Sequence, residues 1–157
     1  MAQKVETTVE RRFGYEHRPA WVSGVVAGLA GGAVMGVLLS VLTTPVIETA
    51  IPALVGLSGG LAGWVVHMSI SAVFGVLFAG LVTLAPVSEY ADAPRALLGI
   101  GLVFGAVLWI VAAGLLMPIW LNAVGFPMAP PLPNLAPTSL VTHLVFGAVV
   151  GLVYPTV

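Results

Sequence analysis

Leu61 to Leu84 reads LAGWVVHMSISAVFGVLFAGLVTL, twenty-four residues without one Asp, Glu, Lys or Arg. About 20 apolar residues in helical form cross the roughly 30 Å hydrocarbon layer of a bilayer. The stretch has no period-2 alternation of the kind a barrel strand needs, so it reads as a membrane-spanning helix. Working outward, three further stretches have the same character, giving spans at about 21–43, 61–84, 96–117 and 138–154. The expected class is all-α: a polytopic four-helix transmembrane domain over residues 21–157, preceded by a tail, 1–20.

Composition agrees. Of 157 residues, 59% are hydrophobic and 7% charged, and the mean hydropathy is +1.11. A water-facing domain is nearer one quarter charged, so a soluble enzyme, a nucleic-acid binder and a disordered chain are excluded. With no Cys, disulfides and thiolate metal centres drop out as well. The first apolar run exceeds a signal-peptide core and reads as an anchor.

Seven of the eleven charged residues (Lys4, Glu6, Glu10, Arg11, Arg12, Glu16, Arg18) precede the first span, and none follows Arg95. All five basic residues lie before span 1 or between spans 2 and 3. The positive-inside rule then puts both termini and the 2–3 loop in the cytoplasm of a cell-membrane protein. Phe13, Tyr15 and Trp21 suit an interfacial anchor on a solvated tail; a docking arm for a partner or for anionic headgroups is the alternative. On the outer side, Gly125–Asn134 and the prolines from Pro127 to Pro137 make a stiff apolar segment. It is expected to lie as a lid on the bundle or against another subunit.

The chain repeats itself. A shift of 73 residues carries span 1 onto span 3: Gly28 onto Gly101, Gly32 onto Gly105, Pro45 onto Pro118. A shift of 76 carries span 2 onto span 4: His67 onto His143, Ser71 onto Gly147, Gly75 onto Gly151. Two tandem hairpins as parallel repeats predict a pseudo-twofold bundle with its axis along the membrane normal. Gly24, Gly28, Gly32 and Gly36 recur every four residues along span 1 and form a packing stripe, for a bundle neighbour or for a homo-oligomer or partner contact.

His67 and His143 are the chemistry on offer. Each opens a small-residue pattern at i+4 and i+8 (Ser71 and Gly75; Gly147 and Gly151), which stacks along one helix face. Ionisable side chains inside a span are functional-site candidates. Two neutral imidazoles facing each other suit the axial positions of one haem b, with the small residues admitting the macrocycle. Two histidines without further ligands are too few for a closed zinc site. The other readings are a hydrogen bond to a carbonyl, to Thr142 or Ser69 or to water, and a contact with a quinone, lipid or pigment. Glu48 reads as a solvated loop carboxylate, or else as an acceptor that orients one ring. Met35, Met68, Met117 and Met128 read as filler. Transporter, channel, hydrolase and kinase constellations are absent.

Ile51-Pro52-Ala53-Leu54, Gly63-Trp64-Val65-Val66-His67 and Val124-Gly125-Phe126-Pro127-Met128-Ala129-Pro130-Pro131-Leu132-Pro133-Asn134 resemble a group of small uncharacterised four-helix membrane proteins of halophilic archaea. The likeness spans most of the chain after Trp21. It implies a cell-membrane location and four helices, and brings no activity or site residues with it. The name histidine kinase, given to some of that group, has no support in this sequence, which lacks an ATP-binding domain. The expectation is a small subunit of a larger membrane complex without catalytic activity of its own, in a respiratory or other redox assembly. A purely structural subunit or oligomer without a cofactor is the alternative.

Overall fold

The computed structural model describes residues 19–91 and 93–157; the tail with its seven charges, and so the docking-arm expectation, lies outside the described residues. Four helices are each long and apolar enough to cross a membrane: α1 (Ala20–Leu42), α2 (Gly60–Thr83), α3 (Pro94–Ala123) and α4 (Pro137–Val153), the last continued by a 3-10 turn, Tyr154–Thr156. Among the described residues there is no strand. The end at which α1 begins and α4 finishes is here called proximal, and the opposite end distal.

Three helices start and stop within about a residue of the expected limits. The third does not: it runs on past Met117 to Ala123. Pro118, expected to end it, is instead absorbed. Proline has no N–H for the carbonyl four residues back, and the turns over Trp109–Leu116 widen into π-helix. The freed carbonyl, Gly114 O, accepts the Asn134 N–H at 2.9 Å. Termination comes at Gly125, whose φ of +73° sets a left-handed cap, with the Phe126 N–H donating to Leu121 O.

The first distal connection, expected as a loop over Thr44–Gly60, carries structure by the same logic. It folds into a π-helical turn, Val46–Ala50, and a short α-turn, Ile51–Ala53. Pro52 leaves Glu48 O without its helical donor, and the Gly59 N–H supplies one at 3.0 Å. Ile47 is fully buried beneath α2. There Gly63 lies so close to the Ile47 carbonyl that a Cβ has no room.

Packing runs in the order α2, α1, α4, α3: α1 lies against α2 and α4, and α4 against α3. Small residues set those approaches, since lipid tails give apolar helices no solvent-driven reason to associate. The stripe Gly24, Gly28, Gly32, Gly36 faces α2, meeting in turn Gly75, Ser71 with Gly75, Ser71, and Trp64 with His67. Its partner is therefore the adjacent helix of the same chain. Between α3 and α4, Gly101 meets Gly147, Gly105 meets the His143 carbonyl, and Gly151 meets Leu97. At the proximal end Ser23 Oγ donates to Val157 O at 2.7 Å.

By contrast, α2 has no extended backbone packing on α3 or α4. Aromatic side chains bridge the gap in the proximal half. Phe78, fully buried, stands edge-on to Phe104 and Tyr154 with ring centres 5.4 and 5.6 Å away. Phe74 and Phe146 meet one layer above, at 6.4 Å. Distal to that plug the space between α2, α3 and α4 is left open.

Candidate functional site: a distal cavity with two histidines

The open space is a cavity of about 880 Å³, lined by all four helices, by the first distal turn and by the proline-rich segment. That volume lies in the range of sites that enclose small organic ligands. Phe74 and Phe146 form the floor, and Phe126, Met128 and Pro130 reach over it from the proline-rich segment. The segment therefore lies on the bundle as a lid. Three bonds hold it and its surroundings: Asn134 N–H to Gly114 O, Trp109 Nε1 to Ala136 O at 3.3 Å, and Trp120 Nε1 to Leu54 O at 2.8 Å.

His67 of α2 and His143 of α4 both line this cavity and are 6% and 8% exposed. Each is fixed by one backbone carbonyl. His67 Nε2 lies 2.9 Å from Gly32 O, a contact across the α1–α2 seam that the glycine stripe makes possible. His143 Nδ1 lies 2.7 Å from Ser139 O, one turn back on its own helix, with the Ser139 hydroxyl more distant at 3.4 Å, so the carbonyl is the dominant partner. Carbonyl oxygens only accept, so each of these nitrogens carries the proton, and in a neutral imidazole the other nitrogen is then a bare acceptor. Those acceptors are Nδ1 of His67 and Nε2 of His143. Neither has a protein partner among the described residues, and neither is sealed inside the protein. Both rings thus line one mainly apolar cavity, and each has one nitrogen that no protein group has taken.

Of the other expected site residues, Ser71 lines the cavity while also packing on α1. Gly75, Gly147 and Gly151 do not form a shelf for a ligand. The space beside each is filled by the neighbouring helix: Gly24 and Gly28 against Gly75, Gly101 and Gly105 against Gly147, Leu97 against Gly151. Thr142 and Ser69 donate their hydroxyls to carbonyls of their own helices, Ser139 O and Val65 O, and not to the imidazoles. The Glu48 carboxylate lies beside Gly60. Met35, Met117 and Met128 line the cavity, a role the sequence did not signal, whereas Met68 packs towards Gly32. Sequence reasoning also missed Asn134 and Trp109 as fastenings of the proline-rich segment, and Trp120 as the tie from α3 to the first distal turn. The hint was there in Pro118, whose missing N–H demands a donor from elsewhere.

No protein-family model, curated protein or solved structure matches the chain.

A haem held by both rings fits this arrangement poorly. His143 offers Nε2, but His67 Nε2 is committed to Gly32 O, so ligation through that atom requires breaking the bond and turning the ring. Among the described residues the cavity wall has no Lys or Arg to neutralise propionates. No group of three or more His, Cys, Asp or Glu able to hold a metal occurs among the described residues either. The wall instead suits a neutral, mainly apolar molecule with a few hydrogen-bonding atoms.

Proposed function

We propose that the chain is a small multi-pass membrane subunit of a redox assembly, with both termini cytoplasmic, and that the distal cavity holds a lipid-soluble cofactor between His67 and His143. The observation that carries this reading is the pair of unpartnered imidazole nitrogens on one apolar cavity. Both nitrogens are accessible rather than sealed, so a donor that enters the cavity can reach them, and ionisable side chains within a span are functional-site candidates. Within the same reading, the two hairpins are tandem repeats about a pseudo-twofold axis. Support comes from equivalent contacts: Gly28 approaches Ser71 as Gly101 approaches Gly147, the pairs that the 73- and 76-residue shifts interchange. The partner subunits are proposed from the distal cap, where Val55, Leu57, Val124, Met128 and Leu132 are all exposed although they lie beyond the helices.

A second reading has its own observation. Each ring already has its N–H satisfied by a carbonyl, and among the described residues no sealed side-chain polar atom lacks a partner. A purely structural subunit would need nothing more. Purification in mild detergent, followed by organic extraction and absorption spectra before and after reduction, separates the two. The proposal expects co-purifying subunits and an extractable redox-active small molecule in stoichiometric amount. A colourless, ligand-free monomer supports the structural reading, and a Soret band that shifts on reduction returns the site to haem b.

A further inference from the structure

The tautomers of the two histidines specify the ligand further. Resting on the cofactor reading above, we infer that the cavity binds a neutral hydroquinone, and binds it in preference to its quinone. A carbonyl fixes the proton on Nε2 of His67 and on Nδ1 of His143, so the nitrogens left for a ligand both accept. The complementary molecule must donate twice. A hydroquinone has two O–H donors; its quinone has two carbonyl acceptors, which would face lone pairs with no hydrogen between. The remainder of the wall fits the rest of such a molecule: Phe74, Phe146, Phe126 and Trp120 offer ring faces and edges, and Leu39 and Leu108 offer aliphatic surface. The lining has no charged side chain among the described residues, which disfavours anionic or cationic ligands. The other polar side chains of the lining, Thr43, Thr49, Ser71, Asn134, Thr138 and Ser139, carry hydroxyl or amide groups that can serve either form, so the preference comes from the imidazoles.

The test uses the full chain in nanodiscs, freed of extractable cofactor, titrated anaerobically with a decyl-chain benzohydroquinone and separately with the corresponding quinone. The hydroquinone should bind about tenfold more tightly or better, the ratio that two ordinary hydrogen bonds produce. Equivalently, the midpoint potential of the bound couple should lie above that of the couple in empty nanodiscs. His143→Phe keeps a flat apolar ring without the acceptor and should lower the hydroquinone-to-quinone affinity ratio about threefold, the share of one of the two hydrogen bonds. His67→Phe should do likewise; since it also removes the Gly32 bond, its folding is checked by circular dichroism, and the wild-type ratio decides the matter if it fails to fold. Equal affinity for the two forms, or tighter quinone binding, overturns the hydroquinone assignment while leaving an apolar cofactor site in place. If neither form binds, both the assignment and the cofactor reading fall.

Discussion

Gly75→Ala adds one methyl group to the seam between α1 and α2. That methyl would stand 2.8 Å from Gly28 Cα and nearer still to the Gly24 carbonyl oxygen. Both obstacles are backbone, so no rotamer change relieves them. An ordinary contact is roughly 3.5–4.0 Å, and restoring it requires the helices to part by about 1 Å at that level. A gap of 0.5–1 Å forfeits about a quarter to a half of each dispersion contact alongside it. Overpacking of this kind costs about 1–3 kcal/mol. The same substitution at Gly80, near the end of the same helix, meets nothing within 4 Å. Alanine favours helix over glycine by about 0.5–1 kcal/mol at both sites, so this gain cancels in the comparison. Gly75→Ala should therefore be less stable than Gly80→Ala by about 1–3 kcal/mol, measured by steric trapping or SDS-induced unfolding in the same micelles. A difference below about 0.5 kcal/mol, within ordinary surface scatter, would refute the close α1–α2 approach and with it the seam that brings His67 to Gly32.

Two further outcomes are expected. Phe78→Ala should cost about 3–5 kcal/mol, because Phe78 is fully buried and links α2 to Phe104 and Tyr154 where the backbones do not pack; a thermal unfolding shift like that of an exposed-site control such as Val73→Ala would argue against the aromatic plug. Pro118→Ala returns an N–H to α3 that competes for Gly114 O, so the Asn134 amide should lose protection in hydrogen exchange while amides in α2 keep theirs; unchanged exchange at Asn134 would mean that the lid does not depend on the freed carbonyl.

How much was legible in the sequence differs from element to element. Four long uncharged apolar stretches leave no other economical way to satisfy backbone groups in hydrocarbon, so the existence and approximate limits of the four helices follow from composition alone. The glycine stripe was readable as a packing face, since spacing of four keeps residues on one side of a helix. What it packs against was not, because a small residue accepts any close neighbour; α2 is the answer only in three dimensions. The two histidines stood out by being ionisable in apolar runs. Their small-residue companions misled, as Gly75, Gly147 and Gly151 serve helix contact and offer no ligand shelf.

By itself, then, the sequence determined the membrane-helix class and singled out His67 and His143, because hydropathy and the cost of buried polarity are properties of residues taken one at a time. Only the tertiary structure decided that α2 stands away from α3 and α4, that the gap becomes a cavity, and which nitrogen of each ring is left without a protein partner. The physical reason is that a tautomer is chosen by its hydrogen-bond partner. Gly32 O, thirty-five residues away from His67 along the chain, becomes that partner only when two glycine-lined helices close on each other.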